Sequence, residues 1–113
     1  MHELSIALSI AELSQSAANG RRIKRINVEI GALAGVMPDS LAFGFEIVVE
    51  GTSAEGAQLN IIPIAAIARC DDCGVEFAIE EHYQACACGS FRKTLLKGGE
   101  LSIRSLELEP EAA

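Results

Sequence analysis

All four cysteines of this 113-residue chain fall within twenty residues, "CDDCGVEFAIEEHYQACACG" at 70–89, a stretch with too little apolar material to build a core of its own. Two residues separate Cys70 from Cys73, one separates Cys86 from Cys88, and twelve lie between the pairs. Two close pairs joined by a short hairpin can bring four thiolates to the corners of a tetrahedron, the geometry of a closed structural Zn(II) site. Gly74 and Gly89 directly follow the second cysteine of each pair. Glycine there permits a left-handed turn that aims backbone N–H groups at the sulfurs, so each pair reads as a knuckle. A redox dithiol is the competing reading of Cys-x-x-Cys, but it calls for a helix start in a βαβ unit and leaves the second pair without a task. His82 lies between the pairs; four sulfurs already complete the shell, which leaves it an exposed loop residue. A four-thiolate Zn(II) centre is formally −2, and Arg69, Arg92 and Lys93 stand near enough in sequence to offset part of that charge.

The rest of the chain carries the periodicities of two helices and three strands. Residues 3–18 read as a helix whose polar stripe is Ser5, Ser9, Glu12 and Ser16, with Leu4, Ile6, Ala7, Leu8, Ile10, Ala11, Leu13 and Ala17 as a wide apolar sector. Asn19-Gly20 supplies the stop. Ile26, Val28 and Ile30 alternate with Asn27 and Glu29 as a half-buried strand. A second helix is expected within 37–51, capped by Asp39 or Ser40, with Leu41, Phe45 and Val48 or Val49 on one face. Gly44 makes that helix less regular. One strand is expected over about 58–68, at an edge or bulged because Pro63 cannot donate to a ladder. The last strand, 100–109, changes phase at Ser105, as a bulge would make it do. The cysteine segment therefore reads as an inserted zinc-ribbon-like lobe over 69–98, with 1–68 and 99–113 forming the α/β domain.

A net charge of −7 argues against nucleic acid and anionic membranes, both of which call for a basic face. The one basic run, "RRIKR" at 21–25, reads as a solvated turn leading into a strand. The longest uncharged apolar stretch, 61–68, is too short to span a bilayer. Glu3 and Glu12 interrupt what would be the apolar part of a secretory leader, so a cytoplasmic location is expected. In that reducing compartment, clustered cysteines bind metal rather than form disulfides. No Ser/His/Asp set, phosphate loop or open metal site marks the chain as an enzyme.

The chain begins "MHELSIA". The Met1 amine, the backbone nitrogen of His2 and its imidazole can close fused chelate rings around one cation, a tetragonal nitrogen field that suits Ni(II) and Cu(II). The Glu3 amide offers a fourth nitrogen, and its carboxylate can act from the side while also favouring the helix start. A solvent-exposed bystander histidine is the competing reading. The amine, with a reference pKa of about 7.7–8.0, and the imidazole, about 6.5, must both lose protons to bind. Affinity is therefore expected to fall as pH drops toward about 6.

"MHELSIA" at the start, "EGA" at 55–57, "CDDCG", "CACGS" and a closing "GGELSIRSLELE" occur in that order. Together they resemble the HypA/HybF family of nickel-insertion accessory proteins for [NiFe]-hydrogenase, over nearly the whole chain from Met1 to about Glu109. The resemblance implies an α+β fold, a small three-stranded sheet packed with two helices and a zinc-ribbon-like lobe inserted before the last strand, and a metallochaperone that delivers Ni(II) during maturation of the hydrogenase large subunit. It implies nickel at His2 with Glu3 beside it, a structural zinc at Cys70, Cys73, Cys86 and Cys88, and two partners, a HypB-type GTPase and the [NiFe]-hydrogenase large-subunit precursor. The second knuckle departs from the family's Cys-Pro-x-Cys-Gly-Ser, since "ACACGS" sets Cys86 one residue nearer Cys88. A zinc-ribbon adaptor that binds proteins without transferring nickel is the alternative.

Overall fold

The computed structural model describes residues 3–110; Met1 and His2 lie outside them. The fold is α+β, with two helices and two three-stranded sheets. By its contacts the chain divides into two compact units, one comprising 1–28, 36–62 and 102–113, the other 29–35 and 63–101. The cysteine-bearing unit is thus wider than the expected 69–98, since it also takes in 29–35, 63–68 and 99–101.

In the first unit, α1 (Glu3–Ala18) ends where expected, with Asn19 at φ 50° and Gly20 at φ 86°. Its buried face is narrower than the apolar sector read from the sequence. Ile6, Ala7, Ile10, Ala11, Ser14 and Ala18 are buried, whereas Leu4, Leu8 and Leu13 stay 48%, 46% and 62% exposed. Ser14 takes a core position that the polar stripe did not include, and its Oγ has no hydrogen-bond partner among the described residues. A buried hydroxyl without a partner costs stability, and alanine is the better helix former. Ser14→Ala should therefore raise the unfolding free energy by about 1 kcal/mol. A urea midpoint that fails to rise would show that the hydroxyl is satisfied.

The strand β1 (Ile23–Gly31) buries Ile23, Ile26, Val28 and Ile30 on one face, the period-2 pattern of its sequence. The basic run is absorbed structurally: an Arg21 Nη donates to the Glu109 carbonyl (3.0 Å), Arg22 to the Glu55 carbonyl (2.7 Å) and Arg25 to the Gln58 side chain (3.1 Å). The second helix, α2 (Pro38–Val48), buries Leu41, Gly44 and Phe45. Neither Asp39 nor Ser40 caps it; Met37 occupies the N-cap position with Pro38 in the first turn. Proline is tolerated there because its missing N–H would be unpaired anyway. At Gly44 the two helices pack together, and a Cβ there would stand in ordinary contact, 3.4 Å from Leu4 Cδ1 and 3.6 Å from Ala7 Cβ, so the space does not itself demand glycine.

The expected single strand over 58–68 is two strands, β2 (Gln58–Ile64) and β3 (Ala66–Cys70), that belong to different sheets. The first sheet has the order β2-β1-β6, with β6 spanning Leu101–Leu108. This makes β2 an edge strand, the place where Pro63 does least harm to a ladder. Along β6 the half-buried positions are Ile103, Leu106 and Leu108, so the inward face changes phase between Ile103 and Leu106.

The second unit contains the other sheet, with β3 between β4 (Glu76–Ile79) and β5 (Lys93–Lys97). Both neighbours run antiparallel to β3, pairing Ala66 with Ile79 and Arg69 with Glu76 on one side, Ala68 with Leu95 and Cys70 with Lys93 on the other. A bulge between Ile67 and Ala68 shifts the second register. Its small core is Ala66, Ala68 and Ile79, with Leu33 and Phe77 packed against it.

Candidate metal centre

Cys70 ends β3, and the chain turns at once: Gly74 N–H donates to the Cys70 carbonyl (2.9 Å) and Cys70 N–H to the Val75 carbonyl (2.8 Å). The second knuckle repeats this pattern, with Gly89 N–H donating to the Cys86 carbonyl (2.8 Å) and Cys86 N–H to the Ser90 carbonyl (2.9 Å). Gly74 (φ 79°) and Gly89 (φ 91°) take the left-handed conformation anticipated from their positions after each pair.

The two turns bring the four Sγ atoms within 4.8 Å of one another, the one such group of potential metal ligands among the described residues. The closest approaches run between the knuckles, Cys70 to Cys88 and Cys73 to Cys86, each at 3.6 Å. Sulfurs bound at about 2.3 Å to one tetrahedral ion stand roughly 3.8 Å apart, so the donor set fits such an ion with little adjustment. The one-residue spacing of Cys86 and Cys88 does not prevent convergence. Four soft thiolates suit Zn(II), Cu(I) or iron over harder cations. Cys70 and Cys86 are buried, and Cys73 and Cys88 are exposed.

A clamp that the spacing did not reveal ties the knuckles together. Asp72, inside the first pair, accepts a short hydrogen bond from Ser90 Oγ, just past the second, and lies 3.6 Å from the Arg92 guanidinium. Asp71 N–H donates to the Arg92 carbonyl (2.9 Å), and Asp71 Oδ1 accepts from Thr94 Oγ1 (2.8 Å). The two aspartates of "CDDC" were its only sequence signal. Of the cations expected to offset the sulfur charge, Arg92 is engaged with Asp72, and Lys93 sits opposite Cys70 in the ladder while its ammonium donates to the Phe91 carbonyl (3.3 Å). His82 is exposed and is not among the converging donors.

The sulfurs polarise one another unequally. The Cys73 backbone N–H, 3.5 Å from Cys70 Sγ, is the main influence holding the Cys70 thiol down at about 6, against the pull of burial. At Cys73 the Val75 N–H acts the same way, but the Cys86 and Cys70 sulfurs and burial outweigh it and raise the thiol. At Cys88 the Ser90 N–H is likewise outweighed, and the Cys70 and Cys86 sulfurs with burial push it up to about 12. Loading the site at neutral pH must therefore expel the Cys73 and Cys88 protons, so affinity should rise with pH by at least about two decades per unit. Below the Cys70 value of about 6, that thiol too must be deprotonated, and the slope should steepen. Chelator competition across pH reads this directly, and a pH-independent affinity would contradict it.

Of the residues expected at the second site, His2 lies outside the described residues and Glu3 opens α1. Glu3 Oε2 accepts a hydrogen bond from the Met37 N–H at 3.3 Å.

The profile of the family described as "Hydrogenase/urease nickel incorporation, metallochaperone, hypA" matches residues 1–108. The hydrogenase maturation factor HypA of Geotalea uraniireducens is 44% identical over 110 residues, covering 96% of this chain and 100% of its own. The protein of the same name from Trichormus variabilis is 41% identical over 109 residues, covering 96% of each. The solution structure of the Ni metallochaperone HypA from Helicobacter pylori matches with a TM-score of 0.69 at 28% identity, covering 98% of this chain and 100% of that one.

Proposed function

Because this chain belongs to the HypA family of nickel-incorporation metallochaperones, we propose that it carries Ni(II) at the start of α1 and delivers it during maturation of the [NiFe]-hydrogenase large subunit. In this reading Cys70, Cys73, Cys86 and Cys88 hold a structural Zn(II), and His2, with Glu3 beside it, takes the nickel. The observation that carries it is the closure of the sulfur site. Four converging thiolates fill a tetrahedral shell, which leaves no open position for an ion in transit. Cargo needs a second, more labile site, and His2 with its neighbouring backbone nitrogens is where the sequence offers one. The zinc fixes the shape of its own unit, and the nickel passes on by ligand exchange.

The same reading makes the chain a carrier rather than an enzyme, with a HypB-type GTPase and the hydrogenase large-subunit precursor as its partners in the cytoplasm. Among the described residues no helix is long and apolar enough to cross a membrane. The domain roles follow, with nickel handled by the unit that carries α1 and zinc by the unit that carries the four cysteines.

Nickel titration of the untagged, zinc-loaded protein tests the proposal. His2→Ala should bind Ni(II) at least tenfold more weakly, and residues added ahead of Met1 should weaken it as well if the amine is a ligand. The zinc content should stay at one ion in each. Equal nickel affinity in all three would leave the nickel-free adaptor as the reading.

A further inference from the structure

The helix α2 starts without a cap of its own. Met37, at the N-cap position, offers no acceptor side chain, and the start of the helix has no side-chain cap bond. In a capping box, a carboxylate three residues into the helix reaches back to the N-cap amide. Ser40 stands at that position here, and the Met37 N–H is instead received by Glu3 Oε2, 34 residues away in the first turn of α1. The contact lies where the two helices pack, since Leu4, next to Glu3, is the neighbour that a Cβ on Gly44 of α2 would meet, at an ordinary 3.4 Å.

We propose that Glu3 is a positioning residue shared between cargo and fold: its carboxylate holds the start of α2 in the nickel-free chain, and nickel uptake at His2 weakens that hold. The inference rests on the nickel reading above. A carboxylate that turns toward a divalent cation, or gives it electron density, accepts less well from an amide. Coupling of this kind is reciprocal, so the grip of Met37 on Glu3 opposes nickel by the same factor by which nickel loosens Met37. One hydrogen bond at an exposed carboxylate sets the scale at about three- to tenfold.

Millisecond hydrogen-exchange labelling of the zinc-loaded full chain, quenched and resolved at Met37, reads both halves. Without nickel, Glu3→Ala should speed Met37 exchange about three- to tenfold, and Glu3→Gln, whose amide oxygen still accepts, should restore most of the protection. Adding Ni(II) should speed Met37 exchange by a similar factor in the unaltered chain and leave Glu3→Ala unchanged. Met37→Pro, which deletes the donor at a residue whose φ is −88°, should bind nickel about three- to tenfold more tightly. Nickel binding that depends on His2 but leaves Met37 exchange unmoved would overturn the coupling while the carrier reading stands. Nickel binding that is indifferent to His2 would overturn both.

Discussion

Replacing Cys70 and Cys73 together by serine should abolish metal retention and unfold the unit formed by 29–35 and 63–101, while the other unit keeps its protection. The reason lies in how little else holds that unit. Its buried apolar residues are Ile30, Ala66, Ala68, Ile79 and two of the cysteines, whereas Val75, Tyr83, Phe91, Leu95 and Leu96 are exposed. The first unit buries Ile6, Ile10, Ile23, Ile26, Val28, Leu41, Phe45 and Val49. A structural zinc contributes about 10–16 kcal/mol when its ligands fold around it, as much as the whole stability of a typical domain. Two alanines and two isoleucines cannot replace that. Native mass spectrometry should show the loss of one ion, and hydrogen exchange should lose protection at Ile67 and Ala68 but not at Ile26 and Val28. Protection retained in β3 without metal would show that the hairpins and the Asp72–Ser90 clamp suffice by themselves.

What the sequence made legible was what depends on near neighbours. The span and stop of α1, the alternation of β1 and the convergence of the four cysteines follow from spacing along one segment. What it hid depends on distant partners. The apolar sector of α1 looked wide enough to bury Leu4, Leu8 and Leu13, but only the stripe through Ile6, Ile10 and Ser14 is covered. The cap of α2 was sought at Asp39 or Ser40 because caps are usually local, but the N-cap position falls to Met37, which makes no side-chain cap bond and whose N–H is received by Glu3 of another helix. The apolar run from Ile61 to Ala68 hid the change of sheet at Ala65, since both halves have the composition of strands and Pro63 was read as an edge or a bulge within one strand. The clamp at Asp71, Asp72, Ser90 and Thr94 joins residues up to 23 apart in sequence, so no window along the chain displays it.

Gly98→Ala should cost at least about 2 kcal/mol, lowering Tm by roughly 8 °C or more, whereas Gly99→Ala should be nearly neutral. The two glycines are adjacent in "KGGE", and sequence alone does not distinguish them. Gly98 has φ 111°, a conformation that costs a side-chain-bearing residue about 1–3 kcal/mol. A Cβ there would also stand 2.4 Å from Ala66 Cα, a backbone atom that cannot step aside, and overpacking of that kind adds about 1–3 kcal/mol. A Cβ on Gly99 meets only Leu95 Cδ2, at 3.4 Å, the mobile end of a half-exposed side chain. Gly31 shares the constraint from the other side: a Cβ on it would fall 2.0 Å from the Gly98 carbonyl oxygen, the atom that accepts from Leu33 N–H at 2.8 Å. Gly31→Ala should therefore be damaging too, and because a Cβ on Gly31 presses on the same Gly98 backbone that a Cβ on Gly98 would push away from Ala66, the double variant should lose less than the sum of the two. Strict additivity in a thermal melt would show that the two backbones do not depend on each other.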